Sequence, residues 1–218
     1  MTTNEKMEKV VPSLLEKKLE QLSYYLVPIV PIGIKPNQIT MAGFVAAITA
    51  GLSFYLASFN KIWLLVAILG ITTHLILDGL DGAVARQRSL TSKAGYFLDL
   101  FLDCIAFVII PLGVFFSIYD PLKIFIFNGI AYALNSLLLI HWVHLRNKWV
   151  FPIFGPAEAH LTYILMAIMT FFWSEPVIII GSYSLGWFDL ITLIGVPLVG
   201  IEFVISGYKL FQELKREN

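Results

Sequence analysis

Asp78, Asp81, Asp99 and Asp103 interrupt otherwise apolar sequence, and their spacing could do chemistry. One acid at the centre of a bilayer costs about 2.5–3.5 kcal/mol on insertion scales, so four fully immersed would cost on the order of 10 kcal/mol. Access to cytoplasmic water lowers that cost, but a purely structural role does not account for it. Four like charges also repel one another unless cations bind between them. At about 100° per residue, Asp78, Asp81, Gly82, Ala85 and Arg86 share one arc of about 140° on a helix. Gly95, Asp99 and Asp103 recur at four-residue steps and form a second stripe on the next helix. The short connection predicts antiparallel neighbours whose acidic stripes face each other. All-oxygen coordination by paired carboxylates favours Mg²⁺ or Mn²⁺, and clamps of two such ions commonly serve phosphoryl transfer.

The elements that must hold these acids are membrane helices. The 218 residues are 58% hydrophobic and 14% charged, against roughly 45–50% and about 25% in ordinary globular chains. Six apolar stretches run approximately over 38–59, 62–84, 95–117, 123–143, 157–174 and 187–211. Each is near the roughly 20 residues that cross the hydrocarbon core. The gaps carry the turn and charge signals: Asn60-Lys61, Arg86 to Lys93, Asp120-Pro121, Arg146 to Pro156 and Glu175 to Gly186. The expected fold is an all-α integral membrane protein of six transmembrane helices. It divides into a cytoplasmic juxtamembrane part, 1–35, and a transmembrane domain, 36–218.

Residues 1–35 interleave Lys6, Lys9, Lys17, Lys18 and Lys35 with Glu5, Glu8, Glu16 and Glu20. They lack the apolar core of a cleavable signal peptide, so nothing is expected to be removed. Pro12 suits a first helical turn, and Leu14, Leu15, Leu19, Leu22 and Leu26 follow at three- and four-residue steps. This pattern predicts an amphipathic helix lying on the membrane surface. Thirteen of the 15 Lys and Arg fall in the N-terminal arm, the second-to-third and fourth-to-fifth connections and the C-terminal tail; only Lys61 and Lys123 lie on the other side. Both termini and the acids are therefore expected to face the cytoplasm. The 15 Asp and Glu balance the cations, which argues against a nucleic-acid partner. Cys104, the single cysteine, excludes an intramolecular disulfide and a multi-thiolate zinc site.

The run Asp78-Gly-Leu-Asp81-Gly82-Ala-Val-Ala85-Arg86, then eight residues, then Gly95-x3-Asp99-x3-Asp103, resembles position for position the signature of the CDP-alcohol phosphatidyltransferases. Eight fixed positions at roughly one in fifteen each give a chance below about 10⁻⁹. The resemblance extends to the six-helix layout, the N-terminal amphipathic helix and Pro36-Asn37-Gln-Ile-Thr40 before the first span. It implies that Asp78, Asp81, Asp99 and Asp103 hold two divalent cations, Mg²⁺ or Mn²⁺, against the pyrophosphate of a CDP-linked donor. It further implies that Asp103 takes the proton from the acceptor hydroxyl. Gly82 and Ala85 are small where a nucleotide approaches, and Arg86 can bridge phosphate oxygens. Asn37, Thr40 and Ser92 are hydrogen-bond candidates for the CDP group.

The activity so implied is transfer of a phosphatidyl or other phospho-alcohol group to an alcohol, with release of CMP, in phospholipid biosynthesis. CDP-diacylglycerol is the preferred donor; a CDP-head-group donor of the CDP-choline or CDP-inositol type, with a lipid or polyol acceptor, is the alternative within the family. Membrane lipids are expected partners, and a homodimer is a possible assembly. A cation transporter is a more distant reading, since the acids come from one helix pair rather than from matching halves of a repeat. On the acceptor side stand Arg146, Lys148, Glu158 and Glu202. Two cations would suit an acceptor phosphate, although topology alone also places cations there. Glu202 divides evenly between an acceptor pocket and a structural hydrogen bond. His74, one turn before Asp78, reads as a packing histidine bonded to a backbone carbonyl ahead of a supporting partner of the acids; His141 and His144, near the interfacial Trp142, are left between a membrane-interface role and chemistry; Cys104 reads as core.

Overall fold

The computed structural model describes residues 8–10, 14–150 and 152–216; Glu5, Lys6 and Pro12, invoked above, lie outside them. In chain order the elements are β1 (Glu8–Val10), α1 (Leu14–Leu26), a 3₁₀ turn (Val27–Ile29), α2 (Pro36–Leu56), α3 (Trp63–Gln87), α4 (Lys93–Phe115), α5 (Ile126–Arg146), β2 (Lys148–Val150), α6 (Pro156–Phe172), β3 (Ile178–Ile180), β4 (Tyr183–Leu185) and α7 (Trp187–Lys215). Local signals set several starts. Pro36 occupies the first turn of α2, where its missing N–H has no partner to lose. Ser92 caps α4 by accepting from the Gly95 N–H at 3.0 Å.

Among the described residues five helices, α2, α3, α4, α5 and α7, are long and apolar enough to cross a membrane, so the molecule is an all-α, multi-pass membrane protein. The fifth of the six apolar stretches forms α6, which has 17 residues and rises only about 26 Å against a hydrocarbon core of about 30 Å. Side chains that would face lipid are correspondingly apolar and bare, among them Phe172, Leu69 and Val204.

The bundle is organised around α2, which packs against both α3 and α4. The α3 and α4 helices meet through their acidic stripes, which face each other as expected of antiparallel neighbours, while each packs more extensively on α2. Small residues allow the close crossings, as in membrane bundles generally. A Cβ on Gly113 of α4 would lie 1.9 Å from the Gly51 carbonyl of α2, and one on Gly70 of α3 would meet the Ala46 carbonyl at 3.0 Å. Together α2, α3 and α4 enclose a small cleft at the end of the bundle that carries the acids. At the other end Phe54, Phe125 and Phe188 fill the core, with edge-to-face contacts at 5.0 and 5.6 Å. Phe107, Tyr132, Ala159 and Val199 join α4 to α7 across α5 and α6.

The β1 and β2 strands pair in parallel, placing Lys9 opposite Trp149, and so tie the N-terminal arm to the connector before α6. The antiparallel β3 and β4 close the link to α7, turning at Gly181 with φ +60°. Trp142 departs from its expected interfacial place: it is 4% exposed and donates to Ser206 Oγ at 3.1 Å, joining α5 to α7. Cys104 is half-buried, so it borders the core and does not lie within it.

Candidate functional site

The four aspartates gather where α3 and α4 face each other, with Asp78, Asp81 and Asp103 lining the cleft. Asp78 and Asp81 come from α3, Asp99 and Asp103 from α4. Oxygens of Asp78, Asp99 and Asp103 lie within 4.8 Å of one another. The carboxyls pair across the cleft, Asp78 with Asp103 and Asp81 with Asp99. Asp81 is held from α2 as well, accepting from Thr40 Oγ1 at 2.5 Å. Beneath the acids is a cavity of about 10 Å³, lined by Thr40, His74, Asp78 and Asp103 among others.

This donor set fits a divalent cation. It is all oxygen and comes from two elements, and Asp99 Oδ1 is buried without a hydrogen-bond partner. A buried carboxylate oxygen left without a donor is costly unless an ion or water completes it.

The positions expected to meet a CDP group surround the same cleft. Gly95 brings the Ser92 hydroxyl and the Asn37 amide together, since a Cβ added there would meet Ser92 Oγ at 3.1 Å and Asn37 Oδ1 at 3.2 Å. The space over Gly82 is filled by the Arg86 guanidinium, 3.1 Å from where a Cβ would stand. Ala85 is half-buried one residue before it. Arg86 is the charged group of opposite sign that acts electrostatically on Asp99.

The sequence profile of the CDP-alcohol phosphatidyltransferases matches residues 34–198. The chain belongs to this family. Its relatives include "Inner membrane protein YnjF" of Escherichia coli, 42% identical over 37% of this chain and 36% of that protein. Archaetidylinositol phosphate synthase of Pyrococcus horikoshii is 39% identical over 38% and 42%. CDP-diacylglycerol--serine O-phosphatidyltransferase of Helicobacter pylori is 35% identical over 52% and 44%. The matches thus span less than half the length of these curated relatives.

The residues expected on the acceptor side are, in this family member, engaged with the chain itself. Arg146 and Lys148 both reach Glu213 on α7, at 3.7 and 3.2 Å. Glu158 accepts from the Gly155 N–H at 3.0 Å and caps α6. Glu202 accepts from the backbone N–H groups of Ile153 and Phe154, so of its two readings the structural hydrogen bond is formed. His74 contacts the Gly43 carbonyl through Nδ1 at 3.2 Å, as expected of a packing histidine. His141 back-bonds to Leu137 O at 2.8 Å on an exposed helix face.

Three features escaped the sequence. Glu16 of α1 accepts from the Ala157 N–H at 3.1 Å and lies close enough to Asp78 to act on it electrostatically. Tyr24 and Glu20 of α1 both reach Arg86. Asp120 and Asp189, at the far end of the bundle, are wholly buried and hydrogen-bonded to each other. Burial first, then that bond, pushes the Asp120 carboxyl up to about 7. A lone Asp beside Pro121 and another opening α7 look like ordinary turn and cap residues in one dimension, so no local signal marked the pair.

Proposed function

We propose that the protein is an integral membrane transferase that moves a phosphatidyl group from CDP-diacylglycerol to an alcohol, releasing CMP, in phospholipid biosynthesis. The observation that carries this reading is the convergence of Asp78, Asp99 and Asp103 oxygens within 4.8 Å, with Asp81 alongside. Asp78, Asp81, Asp99 and Asp103 would hold two divalent cations, Mg²⁺ or Mn²⁺, which when bound supply positive charge against the donor pyrophosphate. Arg86 binds phosphate oxygens through its planar fork. Asn37, Thr40 and Ser92 orient the CDP group, with Ala85 leaving it room and Gly82 making room for the Arg86 guanidinium that meets it. Asp103 accepts the proton of the acceptor hydroxyl as the new oxygen–phosphorus bond forms. The bond from that phosphorus to the bridging oxygen breaks, and CMP leaves with the electron pair.

The lipid is assigned to the donor because α2 and α3, which carry Thr40, Asp78 and Asp81, also help to line an apolar groove of about 490 Å³, with Leu26, Ile29, Ile34, Ile39, Leu77 and Leu80 in its walls. Ile39 precedes Thr40 and Leu80 precedes Asp81, so successive side chains of the same helices, about 100° apart, serve the groove and the acidic site. The acceptor is assigned to the side of the connector 147–155, with Arg146, Lys148, Glu158 and Glu202 shaping that connector. Six crossings are proposed, with α6 as a short span. The α1 helix lies on the membrane, supported by the bare apolar side chains Tyr25, Ile29 and Ile32 that follow its course. Both termini and the acidic cleft face the cytoplasm.

The test is incubation of the purified protein with each radiolabelled CDP donor and a panel of alcohols. CDP-diacylglycerol is expected to give CMP and a new lipid, to stop doing so in EDTA, and to resume with Mg²⁺ or Mn²⁺. CMP from a CDP-head-group donor alone would make the lipid the acceptor. Metal flux in proteoliposomes without any CMP formation would overturn the transferase reading.

A further inference from the structure

Arg86 ends α3 at the mouth of the cleft, on a side chain 49% exposed, where a long flexible residue would ordinarily sample many rotamers. It is instead held at three points. Its Nε donates to the Tyr24 hydroxyl at 2.9 Å. Its guanidinium carbon stands 5.6 Å from the centre of the Tyr24 ring. One terminal nitrogen lies 3.9 Å from Glu20 Oε1, a separation that contributes little between exposed groups. The tight constraint is therefore the one on Nε.

Tyr24 is itself well placed. It packs against the cluster of Val27, Ile39, Leu80, Ala83 and Val84, which joins α1 to α2 and α3. The next contact up the helix is equally close: a Cβ on Gly79 would lie 2.5 Å from Ser23 Oγ, so glycine there lets α1 seat on α3. Arg88 adds a clamp, donating to the carbonyls of Val30, Pro31 and Ile34 just beyond α1. The Tyr24 hydroxyl is thus fixed relative to α3, and fixes Arg86 in turn. Because Nε is the nitrogen engaged, the two terminal nitrogens remain together over Gly82, the edge that bridges phosphate oxygens in a bidentate pair.

We infer that Tyr24 is a positioning residue for the transfer, its hydroxyl accepting from Arg86 Nε so that the terminal edge of the guanidinium is preset over Gly82 to receive the phosphate groups of the nucleotide donor. The inference rests on the reading of Arg86 as a donor-phosphate contact. It makes α1, outside the 78–103 motif, part of nucleotide recognition.

The experiment measures CDP binding by calorimetry, in detergent with saturating Mg²⁺, for wild type, Tyr24→Phe, Arg86→Lys and the double variant. Tyr24→Phe keeps the ring and its packing and removes only the hydroxyl. One lost hydrogen bond to a charged group should weaken CDP binding roughly tenfold, raising KM for the lipid donor while kcat changes less than about twofold. In the Arg86→Lys background, which has no Nε, Tyr24→Phe should cause no further loss. Wild-type CDP affinity in Tyr24→Phe, with Arg86→Lys weakened, would overturn the positioning role and leave the Arg86 contact standing. Equal losses from Tyr24→Phe in both backgrounds would also overturn it, because the effect would then not pass through Arg86. Unchanged CDP affinity in Arg86→Lys would remove the donor contact and the inference with it.

Discussion

At the scale of single residues, the four aspartates are alike in chemistry and unlike in setting. Asp81 is tied to Thr40, Asp78 and Asp103 pair with each other, and Asp99 keeps one oxygen without a donor. The proposed roles separate them further. Asp78→Asn should lower metal affinity, and raising Mg²⁺ should restore part of the activity. Asp103→Asn should retain donor binding while losing on the order of 10²-fold in turnover, because an amide cannot take the hydroxyl proton. Excess metal should not repair that loss. Donor calorimetry beside CMP release across a metal titration checks both; near wild-type turnover of Asp103→Asn at high metal would leave Asp103 a ligand only. All four acids and Arg86 are legible from spacing, since a helix carries residues three and four apart on one face. The partners of Arg86 are not, because Tyr24 lies 62 positions away.

At the scale of elements, helix crossings decide the width of the cleft. Gly113→Ala should destabilise the fold by roughly 1–3 kcal/mol, since its Cβ has no room against the Gly51 carbonyl. Gly207→Ala, on α7 with nothing near its Cβ position, should be neutral or slightly stabilising. Thermal unfolding in detergent compares the two directly, and equal effects would refute the tight α2–α4 crossing. A second element-scale device joins the α4–α5 turn to α7. Asp120 accepts from the Ile124 and Phe125 N–H groups, and Asp189 from those of Leu122 and Gly186. The Asp120 carboxyl sits at about 7 in the fold against 3.8 for the free side chain. The folded state therefore binds more protons, and the stability this contributes is complete below pH of about 4 and is lost as pH rises through about 7. With Mg²⁺ saturating, the unfolding midpoint should fall between pH 5 and pH 8 by about 5 °C on this account. Asp189→Asn should flatten that fall. An unchanged pH profile in Asp189→Asn would show that the pair does not set it.

At the scale of the whole molecule, the acidic cleft, α1, the α3–α4 connection, the connector 147–155 and the end of α7 gather at one end, joined by the Glu16, Arg146 and Lys148 contacts. Asp120, Lys123 and the β3–β4 turn occupy the other. The cation count predicts which end is cytoplasmic. In a Cys104→Ala background, Ser182→Cys at the β3–β4 turn and Ser89→Cys after α3 should react with an impermeant maleimide from opposite sides of sealed, oriented vesicles, Ser89→Cys from the cytoplasmic side. Labelling of both from one side would refute the topology. Composition and periodicity by themselves determined the membrane class, the helix positions to within a few residues and the acids that share a face, because each depends on properties repeated locally along the chain. The tertiary structure decided that α2 packs on both α3 and α4, that α1 reaches Arg86, and that Asp120 meets Asp189. These depend on which small residues let helices approach and on contacts between distant segments, and a one-dimensional pattern carries no record of either.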